Sequence, residues 1–164
     1  MYTQGNIEQC WNDEYKSFTF VKQPITKEEI DNWRAAGYDH ENFTGNLYDN
    51  KNPMPEWTQV IADQFPFLSD KTFTIYRMDT LEIMPTHTDH FRRYCEIFDV
   101  NKSSVRRVLV FLDNWKPGHY FEVAGKGIVN WRAGDYCMWD PEVDHAASNI
   151  GIEPRYTLQM TGHV

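Results

Sequence analysis

From about residue 70 onward the chain changes its hydrophobic rhythm to a period of two, and it keeps that rhythm almost to its end. Strand-like runs are readable at 71–79, 81–89, 105–112, 118–124, 127–131, 135–139, 143–148 and 154–161, with turn-forming residues between most of them. Successive side chains on a strand point to opposite faces, so each run offers one face to a core and one to something else. Eight short strands of this kind must close on each other or stack as two sheets to hide their edges. That predicts a mainly β sandwich or jelly roll.

Two helices are expected before residue 70. Thr26 followed three residues later by Glu29 forms a capping box, and the run through Ile30 and Trp33 stops near Gly37. A second helix is expected with Pro55 in its first turn and Trp57, Val60, Ile61 and Phe65 at helical spacing. Residues 38–54 are rich in Asn, Asp, Gly and Pro and read as a loop. The 164 residues suit one domain, with a helical part (1–70) packed on the sheet of a strand-rich core (71–164).

Two strands say what the barrel should contain. The run VRRVLVFL at 105–112 is apolar on both faces after Arg106 and Arg107, so it belongs in the middle of a sheet. One face is expected under the helices and the other toward the barrel interior, where one of the two arginines should point. The last strand alternates cleanly. Arg155, Thr157, Gln159 and Thr161 share one face, and Tyr156, Leu158 and Met160 the other. A polar inward face implies a cavity that holds something polar.

Composition narrows the function. With a net charge of -8 and scattered Lys and Arg, the chain lacks the basic footprint of a nucleic-acid binder. No apolar run is long enough for a transmembrane helix, and the first ten residues do not read as a signal peptide. Three cysteines without CxxC spacing read as reduced thiols, which points to the cytoplasm.

The chemistry centres on Thr86-His87-Thr88-Asp89-His90. On an extended strand His87 and Asp89 project to the same side and could reach one metal ion, with a third ligand supplied by another strand. His145 is the choice for that ligand. Two imidazoles and one carboxylate leave positions open on an octahedral ion, which suits Fe(II), whereas structural zinc favours a closed tetrahedron. Ten residues beyond His145, Arg155 and Thr157 form an R-x-T pair. A guanidinium and a hydroxyl on one face suit a carboxylate, and Tyr76 could add a further hydroxyl. The plainer readings are that Asp89 caps a turn, that His119 replaces His145 as ligand, or that Arg155 sits in an ordinary ion pair. His90 faces away from Asp89, and Trp131, Tyr136 and Trp139 read as core.

The order of H-x-D, distal His and R-x-T over residues 70–162 resembles the Fe(II)/2-oxoglutarate-dependent dioxygenase superfamily. The resemblance implies a double-stranded β-helix of the cupin-like kind. It implies Fe(II) held by His87, Asp89 and His145, and 2-oxoglutarate held by Arg155 with Thr157 and Tyr76. O₂ and a small-molecule or peptide substrate would be the partners, and no catalytic side chain beyond the metal ligands is called for. The stretch from Tyr76 to Asp89 is similar to prolyl-hydroxylase-like members. The stretch from Trp131 to Arg155 looks somewhat like the aspartyl/asparaginyl hydroxylases, which lack the metal-binding carboxylate. A cupin-like binding protein or isomerase is the rival on the same fold, although its H-x-H followed by Glu is absent. A nucleic-acid demethylase is disfavoured because Thr161 stands where a second arginine would be, and a halogenase because Asp89 is present. With no chain beyond Val164, the cover over the site is expected from 38–54, from 90–104 or from a partner subunit.

Overall fold

A computed structural model describes residues 1–164. Three short strands precede the main body: β1 (Tyr2–Asn6), β2 (Val21–Lys22) and β3 (Asn46–Asp49). The strand-rich part follows as β4 (Ser69–Met78), β5 (Glu82–His87), β6 (Val105–Phe111), β7 (His119–Val123), β8 (Lys126–Ile128), β9 (Asp135–Trp139), β10 (His145–Asn149) and β11 (Arg155–His163). Helices α1 (Lys27–Ala35), α2 (Glu56–Asp63) and α3 (Arg92–Phe98) lie between them.

The strands form two antiparallel sheets. The larger has the order β1-β9-β6-β11-β4-β3-β2, the smaller β5-β10-β7-β8. From β4 onward the chain passes back and forth between the sheets, so the two face each other as a jelly roll. The jelly roll is what the period-two pattern predicts, and its double-stranded β-helix form is what the resemblance implies.

The larger sheet separates two cores. On its outer face Phe73 and Ile75 of β4, Val108 and Val110 of β6 and Leu158 and Met160 of β11 pack with Trp11, Tyr15, Trp57 and Ile61. On the inner face Tyr76, Met78, Leu109 and Phe111 meet Phe121 and Val123 from the smaller sheet. Burying apolar side chains on both faces at roughly 25 cal/mol per Å² is what makes β6 and β11 the centre of the fold. Two buried donors tie the outer layer down: Trp11 Nε1 donates to the Leu112 carbonyl at 2.9 Å, and Tyr15 Oη to Asp113 Oδ1 at 3.0 Å.

Several local expectations change. The first 70 residues are not only helical. β1 pairs with β9 and β3 with β4, extending the larger sheet at both ends, because edge backbone groups there find partners that local sequence does not announce. The 38–54 segment therefore contains a strand. Pro55 caps α2 rather than opening its first turn, and Val60 faces solvent while Trp57 and Ile61 are buried. Only α2 joins the outer core. α1 forms with the expected capping box, but its buried Trp33 packs beside Phe43 and toward His87, with ring centroids at 5.1 and 6.4 Å. That puts α1 at the edge of the histidine site. The 90–104 segment contains α3, held by the Tyr94 hydroxyl, which donates to the Asp70 carbonyl at 2.9 Å.

Candidate metal centre

β5 and β10 are neighbours in the smaller sheet, and their register sets His87 directly opposite His145. The ring centroids are 4.2 Å apart. Asp89 completes the group: one ligand atom from each of His87, Asp89 and His145 lies within 4.8 Å of the other two. His145 Nε2 is 3.8 Å from Asp89 Oδ2. Spacings of this size suit three donors around one ion, since metal–nitrogen and metal–oxygen bonds of about 2.0–2.2 Å put neighbouring ligand atoms a few ångströms apart.

Each imidazole is oriented from behind. His87 Nδ1 lies 2.8 Å from the Pro85 carbonyl oxygen, and His145 Nδ1 lies 3.1 Å from that of Val143. A carbonyl oxygen only accepts, so each Nδ1 carries a hydrogen, and in the neutral ring the lone pair is then on Nε2. This is how metal-binding histidines are generally held. Burial pushes the His145 imidazole down to about 4, outweighing the opposite pull of Asp89, so it is neutral near pH 7. Burial pushes the Asp89 carboxyl upward, but Arg107 and the two histidines outweigh it and hold the group at about 2. Near neutral pH the site therefore offers the neutral imidazole of His145 and the carboxylate of Asp89, with His87 Nε2 beside them.

The spacing argument for Asp89 needs a correction. β5 ends at His87, so Asp89 is not on the strand that the 81–89 run predicts. Its carboxylate is held by Arg107, whose Nε donates to Oδ2 at 3.2 Å and Nη2 to Oδ1 at 3.3 Å. Arg107 is the arginine of the pair that faces inward. Arg106 instead meets Asp140 at 3.0 Å.

Beside these three side chains lies a cavity of about 80 Å³, walled by Leu109, Phe121 and Trp139 and bordered by Tyr76, Arg155 and Gln159. Arg155 is 3% exposed, its Nε has no partner, and its one hydrogen bond runs from Nη1 to the Tyr120 carbonyl at 3.3 Å. No carboxylate forms an ion pair with it. Burial lowers its pKa to about 10, so it remains a cation at neutral pH. A buried guanidinium without an anion is costly. Thr157 lies two residues on; its Oγ1 is buried without a partner, although the residue does not itself line the cavity. The Tyr76 hydroxyl accepts a short hydrogen bond from the Gly45 amide, and Tyr76 lines the same cavity.

The other candidates fall elsewhere. His119 is buried, lies 2.8 Å from the Glu153 carbonyl through Nε2, and stacks near Trp131. His90 is exposed. Trp131 and Trp139 belong to the inner core, and Trp139 also touches the site, with its ring centroid 4.9 Å from that of His145. Gln159 and Arg107 gain importance; both share an inward parity with Leu109 or Arg155 that the sequence already displays.

No protein-family model matches the sequence, and no curated protein sequence matches it. Solved structures do. A prolyl-4-hydroxylase from Pseudomonas putida is similar over 83% of this chain and 82% of its own, with a TM-score of 0.56 and 19% identity. A predicted oxalate decarboxylase from Thermotoga maritima has a TM-score of 0.45 and 13% identity over 73% of this chain and 80% of its own. A cupin protein from Bacteroides fragilis has a TM-score of 0.42 and 14% identity over 60% and 70%. The fold is the double-stranded β-helix. At these identities the likeness speaks to fold alone, and function has to be argued from the site. No helix is long and apolar enough to cross a membrane.

Proposed function

We propose that this protein is an Fe(II)- and 2-oxoglutarate-dependent oxygenase that hydroxylates a small molecule or a peptide side chain. The observation that carries the reading is the pairing of two features in one cavity: three converging metal donors, and a buried cationic arginine with no anion of its own.

The residues fit the implied groups. Two imidazole nitrogens and a carboxylate are the donor set of a facial triad, which suits Fe(II) and leaves positions open for exogenous ligands. His87, Asp89 and His145 would hold the ion. Arg155 would take the far carboxylate of 2-oxoglutarate through its guanidinium fork, with the Tyr76 and Thr157 hydroxyls as neighbouring polar groups. When bound, iron and 2-oxoglutarate together supply the activation of O₂, with succinate and CO₂ as co-products.

The chain's own part is to position and to shield. The Pro85 and Val143 carbonyls hold each imidazole by its Nδ1, so Nε2 is the nitrogen each ring would turn to a metal. Leu109, Phe121 and Trp139 keep the cavity wall apolar, which strengthens a charge-assisted bond between Arg155 and a carboxylate. Arg155 stays protonated throughout, because even its lowered pKa of about 10 lies above neutral pH. A metal-binding cupin without 2-oxoglutarate would leave Arg155 without a purpose, which is why that reading ranks second.

The test is succinate formation from 2-oxoglutarate by the Fe(II)-loaded protein across a panel of amino acids and peptides. Iron-dependent succinate, stimulated by one panel member, is expected. No succinate from a protein shown to bind metal would favour the cupin alternative.

A further inference from the structure

Asp89 raises a structural question: what holds a ligand that lies beyond the end of its strand? β5 stops at His87, and Asp89 falls in the segment between that strand and α3, outside the ladder that aligns the two histidines. Its carboxylate is gripped from the opposite sheet. Arg107 on β6 meets both oxygens, at 3.2 and 3.3 Å.

Arg107 is itself fixed on two further sides. Its Nη1 donates to Thr161 Oγ1 at 2.7 Å, and Thr161 is its direct cross-strand partner on β11. Its guanidinium lies 4.8 Å from the centroid of the Phe91 ring, over its face. Phe91 adopts φ +52°, a left-handed conformation that is rare for a bulky residue, and this bend begins the chain's turn into α3. Arg107 is mostly buried, with its side chain 17% exposed.

We propose that Arg107 is the positioning residue of the metal centre: a strut from the larger sheet that sets the Asp89 carboxylate against the two histidines of the smaller sheet. This rests on the metal-site reading above and not on 2-oxoglutarate. The two-point contact fixes the carboxylate's orientation, as outer partners of metal ligands generally do, and their loss typically lowers metal affinity 10- to 100-fold. An opposite effect is physically available. Arg107 is a cation beside a cation site, and it could instead compete with the metal for Asp89. The anchoring by Thr161 and Phe91 argues for the strut, since a guanidinium held on three sides is built to stay in place.

The two roles predict opposite signs in a titration of the purified protein with Co(II), followed by calorimetry without 2-oxoglutarate. Arg107→Met is expected to weaken Co(II) binding about 10- to 100-fold. Arg107→Lys should recover part of the loss, because it keeps the charge but not the fork. Thr161→Val, which frees Arg107 without touching a ligand, should weaken binding by a smaller factor. Arg106→Met, on the same strand but directed at Asp140, should leave it unchanged. Circular dichroism melts of each variant identify any that fail to fold, and in that event Thr161→Val carries the test. Unchanged or tighter Co(II) binding by folded Arg107→Met would overturn the proposal while leaving the metal site standing, provided His87→Ala still abolishes binding. Wild-type protein that binds no Co(II) would remove both.

Discussion

The two faces of the larger sheet are made from the same strands and obey opposite rules. The outer faces of β4, β6 and β11 present Ile75, Val108, Val110, Leu158 and Met160, all fully buried and all apolar. The inner face of β11 presents Arg155, Thr157, Gln159 and Thr161, with Arg107 beside them on β6. An outer face of that kind is what a stable fold asks for. The inner face carries a guanidinium nitrogen and a hydroxyl with no partner. Buried polar groups are usually satisfied, and exceptions call for an explanation. Local departures of this kind concentrate where a protein binds something. Within that inner face the two arginines differ again: Arg107 is matched by Asp89, and Arg155 by no anion. The matched one is read as structural support, the unmatched one as a receptor.

Substitutions on the two faces should therefore separate stability from function. The largest effect is expected from Asp89→Ala, which removes the only anionic donor of the proposed metal site. Succinate formation should be lost, as measured by a turnover assay of the iron-loaded protein. Retained turnover would show that two histidines suffice and that Asp89 serves only as the counter-ion of Arg107. Leu158→Ala on the outer face should lower folding stability by about 2–5 kcal/mol in urea unfolding, through lost burial and a cavity. Its folded fraction should bind metal as well as wild type does. If metal affinity fell with stability, the two faces would not be independent. Arg155→Met should behave in the reverse way. It replaces an unmatched buried charge with an apolar chain, so the fold should gain about 1–3 kcal/mol. It should also weaken 2-oxoglutarate binding by about 1.5–3 kcal/mol, the worth of hydrogen bonds to charged groups. A destabilised Arg155→Met would mean that the arginine supports the barrel. The smallest effect is expected for Thr157→Val, which removes an unpartnered hydroxyl and should shift stability by about 1 kcal/mol or less, toward greater stability.

Much of this arrangement can be read in the sequence where the controlling interactions are local or periodic. The Thr26–Glu29 capping box forms as written, because both of its hydrogen bonds lie within one turn. β9 spans Asp135–Trp139, as the alternation there indicates, and β11 sends Tyr156, Leu158 and Met160 to the outer core and Arg155 and Gln159 to the cavity in the expected parity. The same parity argument, applied to Leu109 and Phe111, would have selected Arg107 over Arg106 as the inward arginine. The strands at the beginning of the chain are harder to read. β1, Tyr-Thr-Gln-Gly-Asn, is mostly polar and partly exposed, and it is a strand because β9 offers an edge. α3 is short and lacks a side-chain cap, so tertiary contacts of Tyr94 hold it where local propensity would not. Asp89 is the instructive case. The H-x-D spacing is legible, but the reason it works is not strand geometry. It is a contact with an arginine 18 residues away, which no local pattern contains.

The most direct measurement of the central claim is calorimetric titration of 2-oxoglutarate into Co(II)-loaded protein, comparing wild type with Arg155→Ala and His87→Ala. The account predicts binding to the wild type only when metal is present, weakening of about 10- to 150-fold in Arg155→Ala with Co(II) affinity retained, and no metal-dependent binding in His87→Ala. Binding that survives Arg155→Ala at full strength, or no binding to a wild-type protein that holds Co(II), would contradict it.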